Sequence, residues 1–215
     1  MPEFLLPLFP LGIVLLPQEL LPLHIFEERY KEMIGECLEA KSAGAGNQEF
    51  GILQVRGEEM HMVGCTARVV NVTRTYPDGR LDILTVGVRR FEVLFTNEEK
   101  SYLRGGVDFF DDDPGADTAG ETESQRAIGL FRTAIQHLRK SKDIPIHLPP
   151  PYRHLSFRVA GSLPLDPAFK QDLLSSRSES ERLERVTHAM EQLIAHVTRV
   201  EVAQRRAGGN GHSVN

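Results

Sequence analysis

Histidine, cysteine, acid and paired arginine are the residues whose chemistry depends most on spacing, and this chain offers several such groupings. His61 and Cys65 stand four apart, which in an extended strand puts both on one face but roughly 13 Å from each other, too far to share a metal ion. They read as core or edge residues. His188 and His196 are eight apart in a helical pattern with no third ligand at metal-site spacing, so they read as solvated helix positions. His147, Arg153 and His154 flank a proline run and could meet a carboxylate, but no nucleophile, base and oxyanion donor come together in the sequence. The acidic run Asp111-Asp112-Asp113-Pro114-Gly115-Ala116-Asp117 could collect a divalent cation, yet it lacks the spacing and the closing glutamate of an EF-hand. It reads as a flexible acidic linker. No GxxxxGK[ST] phosphate loop occurs. The expectation is a protein that is not an enzyme, with no metal and no cofactor.

The elements that would carry any site have two periods. Leu6 to Phe26 is apolar enough to suggest a membrane span, but Pro7, Pro10, Pro17 and Pro22 would break such a helix repeatedly. Nor does a basic n-region precede it, since the first basic residue is Arg29. Short strands punctuated by proline are the better reading. Tyr30, Met33, Ile34, Cys37 and Leu38 then form one apolar helical face, ended by the glycines after Ser42. Strand patterns return from Phe50 to Phe95, with Tyr76-Pro77-Asp78-Gly79 as a hairpin turn.

Beyond residue 121 the period is helical. Ile128, Phe131, Ile135 and Leu138 make one stripe, a short helix is expected around residues 154–163, and Asp166-Pro167 has the form of an N-cap with proline at the first helical position. Ser178 and Glu181 fit a capping box before a long helix whose seam is Leu183, Val186, Met190, Leu193, Val197 and Val200. The expected organisation is a β subdomain over 1–110, an acidic linker over 111–121, a helical subdomain over 122–206 and a frayed tail over 207–215.

The net charge of −5 comes wholly from the first half, which argues against nucleic-acid binding. Two cysteines, Cys37 and Cys65, suit free thiols in a reducing cytoplasm, with a single disulfide between them as the alternative.

The segments "PLFPLGIVLLPQELLPLHIFEERYKEMI", "VGCTARVVNV", "YPDGRLDILTVGVRRFEV" and "LPLDPAFKQDLLSSRSESERLERVTHAMEQLI", in that order, resemble the N-terminal substrate-binding domain of Lon proteases. The resemblance runs from Phe4 to Arg206 and implies an α+β fold, a PUA-like β pseudo-barrel with one helix followed by a helical bundle ending in a long helix. It implies a free-standing, non-catalytic module that binds unfolded or exposed apolar polypeptide, acting as an adaptor for a protease or as a chaperone-like factor. RNA binding, known from other PUA-like barrels, is the alternative. The residues whose types suit recognition are Leu21, Leu23 and Phe26 beside Arg29 and Tyr30, together with Arg89 and Arg90, although Leu21, Leu23 and Phe26 each read first as core. Adjacent in a strand, those last two must face opposite ways, leaving at least one of them at the surface.

Overall fold

A computed structural model describes residues 5–139, apart from 45 and 47, and residues 152–209. His147 and the proline run before Tyr152 lie outside the described residues, as do 210–215. The elements run β1 (Leu6–Leu11), β2 (Leu20–Ile25), α1 (Glu28–Ala43), β3 (Glu49–Arg56), β4 (Glu59–Met60), β5 (Val63–Thr75), β6 (Leu81–Asn97) and β7 (Arg104–Phe110). Four helices follow: α2 (Glu121–Arg139), α3 (Leu155–Gly161), α4 (Pro167–Ser175) and α5 (Glu179–Gly209). The fold is α+β.

Strand pairing closes a ring, because β1 pairs with both β7 and β3 while β7, β6, β5 and β3 pair in succession. Closure leaves no edge within the ring. Its interior is filled by Leu6, Leu8, Leu53, Phe91 and Val93, all buried. Gly51 and Gly64 make room for the Phe91 ring: a Cβ on either would lie 2.5 or 2.6 Å from the ring's Cζ. β2 lies outside this ring, paired with β6 alone.

A second core covers the ring's outside. Phe9 packs tilted against Tyr30 of α1 with ring centroids 4.0 Å apart, and the same cluster takes in Val14, Leu15, Leu16 and the helical residues Ile128, Phe131, Phe157, Leu173, Val186 and Met190. Cys37 and Cys65 are both buried and free, so the disulfide alternative falls away. Burial pushes the Cys37 thiol up to about 12 and Cys65 also upward.

The expected helix ends are visible. Asp166 caps α4 by accepting from the Ala168 amide at 2.8 Å, and Gly44 ends α1 in the left-handed conformation. Only half of the capping box forms: Ser178 Oγ accepts from the Glu181 amide, while the Glu181 carboxylate turns to Ser176. α2 and α5 run side by side in the same direction, tied by Arg126 to Glu191 at 2.6 Å and by His137 to Glu201 at 3.4 Å. The seam of α5 is buried at Leu183, Val186 and Met190, then emerges until Val200 is exposed. α5 continues to Gly209, past residue 207 where a frayed tail was expected.

The acidic stretch after β7 corrects the linker reading. The Asp112 side chain is 1% exposed, the Asp113 amide donates to the Arg177 carbonyl, and the Ala116 carbonyl accepts from the Glu179 amide at 2.8 Å. It is strapped to the helices. The sequence pattern was polar because the partners are polar: Asp112 meets two guanidinium groups, not water.

Candidate functional site

The residues singled out in the sequence go to separate places. Arg90 is 2% exposed and reaches Asp112 at 2.6 Å, so it belongs to the interior and not to a partner-binding surface. Arg89 faces the other way, lies over the Phe109 ring at 3.7 Å and pairs with Glu49 at 3.0 Å. Tyr30 is buried, with Arg29 over its ring at 4.6 Å; the two line a concavity of about 400 Å³ with Lys100 and Tyr102. Leu21 and Leu23 are partly buried against the core. Only Phe26, 59% exposed, stands open as an apolar group.

Phe26 nevertheless marks a surface. Along β2 the inward phase is Leu21, Leu23 and Ile25, facing the core with Thr85, Ile83 and Leu81 of β6. The outward phase is therefore Leu20, Pro22 and His24, set opposite Val86, Leu84 and Asp82. β5 places Arg68, Asn71 and Arg74 against those same three β6 residues. Two bulges, at Val70 and Thr73, shift the phase of β5 so that Asn71 and Arg74 come outward. The result is a three-stranded face with an aliphatic stripe of Leu20, Pro22, Leu84 and Val86, ended by Phe26 and bordered by guanidinium groups.

This face is held at both ends. At the start of β2, Gly87 exchanges backbone bonds with Gln18 and Glu19, and only a residue without a side chain fits: a Cβ there would sit 2.1 Å from the Leu16 carbonyl oxygen. Glu19 also pairs with Lys170 of α4 at 2.8 Å and accepts from the Leu16 amide at 2.9 Å. At the far end, His24 Nδ1 and Asp82 Oδ1 are 2.6 Å apart, and the Tyr76 hydroxyl donates to Asp82 Oδ2 at 2.8 Å. The hydrogen bond to His24 and then that from Tyr76 hold the Asp82 carboxyl below its usual pKa. His24 stacks on Phe26 at 5.9 Å, and Arg74 and Arg80 lie over the Tyr76 ring at 4.5 and 4.8 Å.

A second cluster has its arginine and carboxylate side chains buried. Arg182 of α5 makes a two-pronged bond to Asp112 at 2.5 and 2.7 Å, while Arg90 of β6 takes Asp112 Oδ1. Arg182 also donates to Glu179, whose carboxylate accepts from the Ser156 amide and hydroxyl at 2.8 and 2.7 Å. Burial would raise the Asp112 carboxyl, but the bonds from Arg182 and the charges of both arginines outweigh it and the pKa falls. His154 lies 3.7 Å from Asp112, and ligating atoms of Asp112, His154 and Glu179 fall within 4.8 Å of one another. A dication there would confront two guanidinium groups already bonded to the carboxylates. The geometry is that of a structural lock between β6, the strap after β7 and the helices.

That Arg89 and Arg90 face opposite ways was legible in the sequence; that Arg90 is the inward one, bonded to an Asp112 that Arg182 also holds, was not. The apolar residues grouped there from sequence fall in both phases of β2: Leu21 and Leu23 pack on the core, and Phe26 continues the outward phase. The polar His24 was the available signal, because alternation from it selects Leu20, Pro22 and Phe26 as outward.

Comparison with known proteins places these elements. The model for the ATP-dependent protease La (LON) substrate-binding domain matches residues 5–192. Lon protease of Buchnera aphidicola is 26% identical over 88% of this chain, but the match spans 25% of that protein's length. Lon protease 1 of Bacillus subtilis is 24% identical over 84% of this chain and 24% of its own length. The chain thus spans about a quarter of the curated relatives it matches. Among solved structures, a Lon N-terminal domain protein from Xanthomonas campestris superposes with a TM-score of 0.62 at 25% identity, covering 85% of this chain and 96% of that one. The N-terminal domain of a Mycobacterium avium complex Lon protease, 16% identical, shares the fold with a TM-score of 0.63 over 87% of this chain and 98% of its own. Among the described residues no helix is long and apolar enough to cross a membrane. With the ring of strands, the outlying β2 and the buried first half of the long last helix falling within the matched span, the chain belongs to the Lon substrate-binding domain family.

Proposed function

We propose that this chain is a non-catalytic polypeptide-binding module that captures unfolded or exposed apolar segments on the outer face of β2, β6 and β5. One observation carries the reading: Leu20 and Phe26 stand 59% exposed at the two ends of a strand whose other phase is packed in the core. Large apolar groups grouped on one solvent-facing sheet surface mark an interaction site more than chance exposure does. Covering them removes apolar area from water at about 25 cal/mol per Å². β2 also has one edge without a strand partner among the described residues, so an extended segment can add backbone bonds there. Substrate binding, for which the family's domain is named, agrees in kind. Such a module serves as an adaptor to a protease or as a chaperone-like holder in the cytoplasm.

The test is fluorescence anisotropy of a labelled, permanently unfolded polypeptide beside its folded form. Saturable binding to the unfolded form, weakened by Leu20→Ser with Phe26→Ser, is the expected outcome. Equal binding by the double variant would remove this face from the function.

A further inference from the structure

The stripe is not bordered symmetrically. On its β5 side stand Arg68 and Arg74, both exposed, on a chain whose formal charge is −5. The carboxylates nearby are engaged: Glu49, opposite Arg68 on β3, pairs with Arg89 at 3.0 Å, Asp82 accepts from His24 and Tyr76, and Asp78 pairs with Arg80 at 2.7 Å. Arg74 and Arg80 together rest on the Tyr76 ring, which concentrates positive charge at the Phe26 end of the face. The β6 partners of Arg68 and Arg74 are Val86 and Asp82, four residues apart, so the two side chains leave the sheet roughly 13 Å from each other along the strand direction.

Resting on the polypeptide-binding reading, we infer that the preferred occupant is an extended apolar segment carrying acidic side chains about four residues apart, which pair with Arg68 and Arg74 while its apolar groups cover Leu20, Pro22, Leu84 and Val86. A basic segment of the same hydrophobicity is disfavoured at this border. Complementary charge of this kind selects partners and speeds encounter more than it deepens affinity. A single-stranded nucleic acid would also seek the arginines, but the stripe between them and the edge is aliphatic, and bases stack on aromatic rings. Polypeptide is the occupant these side chains fit.

The experiment compares three unfolded peptides of equal apolar content, bearing two Glu, two Gln or two Lys four residues apart, against the wild-type protein and an Arg68→Gln, Arg74→Gln variant. The expected result is that the Glu peptide binds roughly threefold to tenfold more tightly than the Lys peptide at low salt, as two exposed ion pairs allow. That gap closes in 0.5 M salt and in the double variant, while the Gln peptide binds both proteins alike. Three peptides of equal affinity would overturn the charge preference and leave the apolar face standing. Failure of all three to bind would overturn the polypeptide reading itself. Displacement of the Glu peptide by a single-stranded RNA at equal concentration would assign the arginines to nucleic acid instead.

Discussion

Arg89 and Arg90 are neighbours in β6, yet one lies at the surface over Phe109 and the other is locked inside with Asp112 and Arg182. The same contrast divides the molecule. In the internal cluster every charge is desolvated and fully bonded, so the cost of removing it from water is offset only while all partners are present. On the face of β2, β6 and β5 the arginines keep their hydration and apolar groups take the place of a core, so single side chains there matter little to folding and more to binding. A residue type does not decide its role; the number of partners the fold can bring to it does.

The contrast can be broken most severely from inside. Arg182→Met leaves the buried Asp112 and Glu179 carboxylates without their shared guanidinium and should cost about 3–5 kcal/mol, read as a lower urea midpoint. Acid acts on the same cluster more gradually. The Asp112 pKa is lowered by folding, so its contribution is complete above the ordinary carboxylate value near ~4 and is lost as pH falls through the lowered folded value. Denaturation midpoints measured from pH 6 downward should therefore fall in the wild type. The Asp112→Asn variant should start lower and respond less.

Gly87→Ala joins the two regions. Its Cβ would press on the Leu16 carbonyl, and relief requires the turn before β2 to move; a loss of about 1–3 kcal/mol in stability, with weakened polypeptide binding, should appear together. The smallest effect on folding is expected at the open face. Leu20→Ser with Phe26→Ser should change stability by less than about 0.5 kcal/mol per site yet reduce affinity for unfolded polypeptide about tenfold. If the double variant instead lost several kcal/mol, the exposed phase of β2 would have to be counted as core.

Much of the fold could be read from local pattern because its signals are local. The Tyr76 to Gly79 turn, the Asp166 cap and the apolar face of α1 each follow from residues within one turn or hairpin. The closed ring rests on β1 meeting β3 and β7, contacts far apart in sequence that no local period encodes. The same limit explains the site. Asp112 looks like linker in its own neighbourhood and becomes a buried anion only when Arg90, 22 residues back, and Arg182, 70 residues on, converge on it. Likewise the bulges at Val70 and Thr73 break the alternation that would have assigned β5 its outward side chains.

The central claim is that the outer face of β2, β6 and β5 engages unfolded polypeptide. Its most direct test is an amide chemical-shift titration of the isotope-labelled protein with a permanently unfolded polypeptide. The account predicts shifts concentrated in Leu20 to Phe26, Arg68 to Arg74 and Asp82 to Val86. Shifts confined to the concavity around Arg29, Tyr30 and Tyr102, or to the exposed end of α5, would contradict it.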